Sequence, residues 1–374
     1  MAEKVVSLPL KKVVNDVIME NKKLETALEK WQSIQPISDV DRERLSQRFT
    51  VDFNYNSNHI EGNTLTYGQT ELLLLFGKVA GVADFREYEE MKASNVGLKM
   101  MILEATENRQ PLTQNFIRML HQTLLREDYT VYRTLPGGVQ TSYIVHAGQY
   151  KTRPNSVITR YGDRFEYASP EETPALMTDL VDWYNKAEGE GKLSPIDMAI
   201  LFHYRYIRIH PFEDGNGRIA RLMVNYILSR HGLPMIVVRS RNKQEYLEAL
   251  HAADQIVGAS PAEGAHASLK QIRPFHKHMT NLIANEVAND VLFVTEKDEN
   301  IWWYDGERIA FRTPTYAKIL RELRIEPQAT FAYLQQETGV NRSALQKLIQ
   351  SLQEKGYIEK DADGSWRVFI TPSA

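Results

Sequence analysis

Twelve consecutive residues hold most of the chemistry in this sequence: His210-Pro211-Phe212-Glu213-Asp214-Gly215-Asn216-Gly217-Arg218-Ile219-Ala220-Arg221. The Gly-Asn-Gly run feeds a stretch with apolar residues at Ile219, Leu222, Met223, Tyr226 and Ile227, the i, i+3, i+4, i+7, i+8 spacing of a helix. A glycine-rich loop at a helix start offers free backbone N–H groups and the positive end of the helix dipole. That is an anion site, with phosphate its usual guest. Arg218 and Arg221 stand three apart, share a face above the loop and can grip further phosphates. Asp214 is placed to hold Mg²⁺ as a hard oxygen ligand against the same phosphates. His210 ends the preceding helix, where a neutral imidazole can take a hydroxyl proton. The parts together describe nucleotide phosphate binding with a general base attached. A tight helix–turn–helix with two solvated arginines accounts for the glycines alone, but not for base, acid and paired arginines in one short run. A zinc site from His203 and His210, seven apart, lacks a third ligand of the H-E-x-x-H kind.

Helices are needed on both sides of this loop, and the pattern supplies them. Residues 194–209 open with Ser194-Pro195-Ile196-Asp197, a cap followed by a proline in the first turn, and keep Ile196, Ala199, Ile200, Tyr204 and Ile207 on one face. The helix after the loop stops at Gly232, with Pro234 beyond. Helical periods also cover 10–32, 40–56, 84–107, 113–127, 171–188, 242–257 and 271–296, and another helix starts near Thr66. Between Arg133 and Pro170, glycines and prolines punctuate short β-prone runs such as Val157-Ile158-Thr159, the pattern of a loop plus a hairpin. A segment with Trp302, Trp303 and Pro314 leads to a last unit at 312–374.

Composition bounds the function. A chain of 374 residues is long enough for two or three domains at about 150 residues each. Lys+Arg 45 against Asp+Glu 48 gives a net charge of −3, which excludes a polyanion binder overall while allowing one basic face. The absence of cysteine excludes disulfides, thiolate metal sites and a cysteine nucleophile. No signal peptide and no membrane-length apolar run are visible, so a cytoplasmic protein with no membrane contact is expected.

The string at 210–221 resembles, position for position, the H-x-F-x-[DE]-G-N-G-R-x-x-R signature of the Fic (filamentation induced by cAMP) family, and the resemblance extends over about residues 45–290. It implies transfer of AMP from ATP to a Tyr, Thr or Ser hydroxyl of a protein, with release of pyrophosphate. On that resemblance His210 is the base, Asp214 holds Mg²⁺, Gly215, Asn216 and Gly217 cradle the α- and β-phosphates, Arg218 and Arg221 contact the outer phosphates, and Phe212 is a buried anchor. In-line phosphoryl transfer needs positioning and charge neutralisation rather than a protein nucleophile, which suits these residues.

Residues Ser57-Asn58-His59-Ile60-Glu61-Gly62 resemble the family's inhibitory motif, [ST]-x-x-x-E-[GN]. The resemblance implies that Ser57, Glu61 and Gly62 form a built-in brake, in which Glu61 pairs with Arg221 and spoils the pose of ATP. Taken alone, the same residues read as a helix C-cap with Gly62 as its left-handed residue. In some relatives this glutamate supports AMP removal, so de-AMPylation by the same site is an alternative. Val157, Ile158, Thr159 and Arg160 lie where the family carries its flap, whose strand edge would hold a target segment by β-augmentation. Tyr246, Leu247 and Asp254 resemble its adenine and ribose contacts, and Tyr246 fits a core position equally well.

At the C-terminus, helices at Thr330–Thr338 and Ser343–Lys355 flank a Gly339-Val340-Asn341 turn, and two strands follow around Asp363-Gly364, which resembles a winged helix. Five cations (Arg342, Lys347, Lys355, Lys360, Arg367) meet five acids (Glu337, Glu354, Glu359, Asp361, Asp363), so protein docking or dimerisation is favoured over DNA binding. A nucleotide-sensing DNA-binding transcriptional regulator is the alternative from another class. The expected fold is mainly α: a Fic-type helical core with a β-hairpin flap over 111–296, an N-terminal helical region with the inhibitory helix over 1–110, and a winged-helix domain over 297–374. The 18 tyrosines leave self-modification open, as relatives often modify themselves or form homodimers.

Overall fold

The computed structural model describes residues 22–79, 83–134, 138–158 and 164–368. Helices α1 (Lys22–Ser33), α2 (Asp39–Ile60), α3 (Tyr67–Phe76), α4 (Phe85–Leu103) and α5 (Gln114–Leu125) come first. Two hairpins follow, β1–β2 (Tyr129–Thr134 with Gln140–Val145) and β3–β4 (Ser156–Ile158 with Arg164–Glu166), where the sequence suggested one. Then come α6 (Thr173–Glu190), α7 (Pro195–Ile209), α8 (Asn216–Arg230), α9 (Lys243–Val257), α10 (Pro261–Ala265) and α11 (Arg273–Thr295). The hairpin β5–β6 (Ile301–Tyr304 with Glu307–Ala310) leads to α12 (Pro314–Ile325), α13 (Phe331–Thr338), α14 (Arg342–Glu354) and the strand pair β7–β8 (Ile358–Lys360 with Trp366–Val368). Every sheet among the described residues has two strands, all antiparallel.

Local chemistry explains many of the helix starts. Ser38, Thr66, Thr113, Ser194, Thr330 and Asn341 each accept a hydrogen bond from a backbone N–H of the first turn that follows. Thr66 and Gln69 form a complete capping box. The predicted helix over residues 10–32 is described only from Lys22 onward.

The described residues fall into two compact units, 22–26 with 96–284 and 27–95 with 285–368. In the first, α7 is the central element and packs against α6, α8 and α10. Ile196, Ala199, Ile200, Phe202, Tyr204, Tyr206 and Ile209 are all buried, as are His203, Arg205 and Arg208, so α7 is enclosed on nearly every side. On α8, Ile219, Leu222, Met223, Tyr226 and Ile227 are buried as their spacing requires. Asn225 bonds the backbone of Ile236 through both its amide nitrogen (2.9 Å) and its oxygen (2.7 Å), tying down the chain beyond α8.

The second unit has its own core. Trp302, Tyr304, Leu320, Leu323, Leu334, Leu345, Ile349, Leu352, Ile358 and Trp366 pack together with Val51 of α2 and Tyr67 of α3. Helices α12 to α14 with β7–β8 make a winged helix, as the sequence suggested. The β5–β6 hairpin was not foreseen. Its turn is Asp305-Gly306, both with positive φ (45° and 77°), the conformation a two-residue hairpin turn requires.

Candidate active site

His210 sits on the residue that ends α7, in the left-handed region (φ 51°). A β-carbon costs energy there, of order 1–3 kcal/mol, and persists only where the surroundings enforce it. Lys151 does so. Its ammonium donates to the carbonyls of Ile209 (3.1 Å) and His210 (2.8 Å) and to Asn155 Oδ1 (2.8 Å), and its backbone N–H bonds Pro211 O (2.9 Å). A lysine so placed closes the carbonyl end of α7 with two of its protons and gives the third to Asn155. Burial pulls its pKa down to about 7.

The imidazole is clamped by three side chains. Tyr167 stacks on it with ring centres 4.0 Å apart and planes within 10°. The amide nitrogens of Asn155 and Asn216 lie 2.8 Å and 3.0 Å from Nδ1. Neither amide can be turned over: Asn155 Oδ1 receives Lys151 while its Nδ2 donates to Phe212 O, and Asn216 Oδ1 receives Phe212 N–H while its Nδ2 donates to Phe212 O. Nδ1 is therefore an acceptor, and the proton of the neutral ring is on Nε2. Burial, reinforced by the Lys151 charge, lowers the His210 pKa to about 3, so the ring is neutral throughout the physiological range.

The loop is anchored from beneath. Phe212 is fully buried and lies flat against His121, ring centres 3.7 Å apart and planes within 4°. His121 takes the Gly148 N–H on Nδ1 (2.9 Å), so its Nε2 donates to the Asp214 carbonyl (3.0 Å). Gly215 is the N-cap of α8 with φ 76°, and a β-carbon there would sit 3.4 Å from the His121 ring. Asn216 starts α8, and no side chain caps the helix N-terminus. The backbone N–H groups at that terminus and the helix dipole lie where the sequence suggested an anion cradle.

Asp214 is half-exposed beside this cradle. Its Oδ2 accepts from the Tyr129 hydroxyl (2.7 Å) and pairs with Arg218 (3.3 Å). Burial raises its pKa, but the Arg218 charge and the bonds from Tyr129 and Gly215 N–H outweigh that and hold the carboxyl below its usual range. Among the described residues no cluster of three His, Asp or Glu side chains forms. An ionised carboxylate beside a phosphate cradle nevertheless suits Mg²⁺, which takes one or two carboxylates and completes its shell with phosphate oxygens and water. Arg218 and Arg221 are both buried on α8.

The other predicted residues are placed as follows. Val157 and Ile158 lie in β3, paired with Phe165 and Arg164 of β4, while Thr159 and Arg160 lie outside the described residues. Tyr246 is in the core at 2% exposure with its hydroxyl bonded to His203 Nε2 (2.7 Å), the alternative its sequence position allowed. Leu247 is exposed. Asp254 accepts from the Tyr204 hydroxyl (2.7 Å) and from Arg208 (3.1 Å), which ties it to α7. In the other unit, Glu61 is the C-cap of α2 and exposed, Gly62 follows with φ 103°, and Ser57 is buried. His121, Tyr129, Lys151, Asn155 and Tyr167 were not anticipated. They reach the site from remote elements, and no periodicity or spacing ties them to residues 210–221.

Comparison with known proteins agrees with this geometry. Residues 111–228 match the Fic/DOC family and residues 312–365 match the MarR family, in line with the winged helix. The chain is 32% identical over 276 residues to the protein adenylyltransferase fic-1 of Caenorhabditis elegans, covering 74% of this chain and 47% of that protein. It is 30% identical over 200 residues to the protein adenylyltransferase Fic of Nematostella vectensis, 54% of this chain and 42% of that one. The chain thus spans less than half the length of these curated relatives. A crystal structure of a Fic domain containing signaling protein from Bacteroides thetaiotaomicron is 48% identical with a TM-score of 0.67, covering 74% of this chain and 99% of that one. By the motif at 210–221, the fold around it and a relative matched over nearly its whole length, this chain belongs to the Fic/DOC family.

Proposed function

We propose that the chain is an autoinhibited protein adenylyltransferase that moves AMP from ATP to a Tyr, Thr or Ser hydroxyl of a target protein or of itself, releasing pyrophosphate. The observation that carries this reading is the meeting, on one loop, of His210, the ionised Asp214 and the uncapped start of α8, in a chain similar to proteins named protein adenylyltransferase.

The phosphates of ATP rest on the N–H groups of Gly215, Asn216 and Gly217, with Arg218 and Arg221 on the outer phosphates. Asp214 would hold Mg²⁺, which when bound neutralises charge on the phosphate oxygens. The acceptor oxygen attacks the α-phosphorus in line, the bond from that phosphorus to the bridging oxygen breaks, and pyrophosphate leaves with the bonding pair. The hydroxyl proton passes to His210. Leu247 and Asp254 border the nucleoside, with Tyr246 supporting that wall from the core. The strand edge of β3, at Val157 and Ile158, receives the target segment.

Three regions divide the work: 1–110 supplies the brake, with Ser57, Glu61 and Gly62; 111–296 performs the transfer; and 297–374 serves protein docking or homodimerisation. The chain is read as cytoplasmic. Among the described residues no helix is long and apolar enough to cross a membrane.

Incubation of the Glu61→Gly chain and a lysate with α-labelled or γ-labelled ATP tests the reaction class. Protein-bound label from the α-phosphate alone is expected, and label from the γ-phosphate would point to a kinase-type transfer and contradict the reading. Arg218→Ala and Arg221→Ala are each expected to raise the KM for ATP at least tenfold.

A further inference from the structure

The hairpin β3–β4 meets the imidazole at both of its ends. Asn155 directly precedes β3 and donates to His210 Nδ1 (2.8 Å), and Tyr167 directly follows β4 and stacks on the ring at 4.0 Å. The two are joined to each other by the Tyr167 N–H on Asn155 O (3.4 Å). Asn155 is itself fixed by the buried Lys151, whose ammonium donates to the amide oxygen, and by the Phe212 carbonyl, which takes the amide nitrogen, so that nitrogen is turned toward the ring.

This arrangement has a chemical consequence. A histidine that is to take a hydroxyl proton at Nε2 needs its own proton on Nδ1, given to an acceptor such as a carboxylate. Here Nδ1 meets two N–H donors and no acceptor, so the proton stays on Nε2 and the ring presents a donor where a base is required. An asparagine in place of the aspartate of a histidine–carboxylate pair imposes the wrong tautomer while preserving geometry, at a cost of about 10⁴ in rate where that exchange has been made in a serine protease.

We propose that Asn155 is a positioning residue that holds His210 in its Nε2-protonated tautomer, a brake on the base that acts separately from Glu61. The inference about the reaction rests on the adenylyltransferase reading, but the tautomer does not. Asn216 gives the same kind of bond from within the catalytic loop, where its amide is committed to both backbone groups of Phe212. Asn155 stands at the root of β3, so it is the amide that displacement of the hairpin would move. Proton transfer at Nε2 requires the ring proton to shift to Nδ1 and an oxygen to face it there.

The test is a long-range ¹H–¹⁵N spectrum of the full chain labelled with ¹⁵N-histidine, with His210→Ala identifying the His210 signals among the 10 histidines. The wild type is expected to show an unprotonated Nδ1 and a protonated Nε2. Asn155→Asp, which offers Nδ1 a carboxylate oxygen, is expected to reverse the pattern. A protonated Nδ1 in the wild type, or no change in a folded Asn155→Asp chain, overturns the proposal. Asn155→Ala removes one donor without adding charge, and should broaden or mix the two tautomer patterns. On a Glu61→Gly background, Asn155→Asp is further expected to raise the rate of AMP transfer at least tenfold with little change in the KM for ATP. The expected tautomers with no AMP transfer by any variant would sustain this proposal and overturn the adenylyltransferase reading. AMP transfer together with a protonated Nδ1 in the wild type would do the opposite.

Discussion

At the scale of single residues, the site depends on groups that do no chemistry themselves. His210 is held at φ 51°, and Lys151 stabilises that geometry by taking up the carbonyls of Ile209 and His210. Lys151→Met would leave both carbonyls and Asn155 Oδ1 without this donor, with a loss of about 3–9 kcal/mol at 1–3 kcal/mol for each of the three buried groups left unpaired. Urea unfolding would measure it, and a change below about 0.5 kcal/mol would contradict the role given to this lysine. The loop from His210 to Arg221 was legible as a local unit by type and spacing, because all of its residues lie on one turn and one helix start. Lys151, Asn155 and Tyr167 are silent in the sequence for the opposite reason. They are brought to the imidazole by a loop and a hairpin, and their types become meaningful only beside a particular carbonyl or ring nitrogen.

At the scale of elements, α7 is the beam on which the site is built, and its packing can be probed away from the chemistry. Arg208, 1% exposed, bonds Asp254, the Tyr204 hydroxyl and the carbonyls of Gly258 and Ser260. Gly264 of α10 lies against it so closely that a β-carbon would come within 2.4–2.7 Å of the Arg208 side chain. Gly264→Ala should therefore destabilise by about 1–3 kcal/mol, since Arg208 has no free volume to retreat into. Buried histidines set the pH response of this unit. Burial lowers the pKa of His121 to about 4 and of His203 to about 3. Below pH 6.5 the unfolded chain takes up protons that the folded one refuses, so stability falls as pH falls, by about 1.4 kcal/mol per pH unit for each histidine, until their folded values are reached. Urea midpoints at pH 7.5 and 5.5 should differ accordingly, and equal midpoints would contradict this. Most helices were legible from period and caps, as with Ser194-Pro195 opening α7 and Thr66 opening α3. The five-residue α10 is too short to show a period, and the β5–β6 hairpin was missed although Asp305-Gly306 is a hairpin turn signal.

At the scale of the whole molecule, the chain combines a Fic core with a winged helix, and the balance of charge bears on what the second part does. The exposed residues of α14 include only Arg342 and Lys347 as cations. Binding of duplex DNA is accordingly expected to be no tighter than non-specific association and to vanish near physiological salt. Retention of a DNA complex at that salt, measured by fluorescence anisotropy, would favour a regulator instead. The mainly helical class, a hairpin between α5 and α6 and the winged helix were all legible, because each rests on local pattern. The two-unit organisation was not, because residues 27–95 join residues 285–368 by contacts remote in sequence, which no local pattern encodes.

The most direct test of the central claim is the intact mass of the purified chain after incubation with ATP and Mg²⁺, alone and with a candidate target, for the wild type, Glu61→Gly and His210→Ala. A gain of one AMP that is larger in Glu61→Gly than in the wild type and absent in His210→Ala is the expected result. An AMP adduct that persists in His210→Ala, or no adduct on chain or target in a folded Glu61→Gly protein that binds ATP, would contradict it.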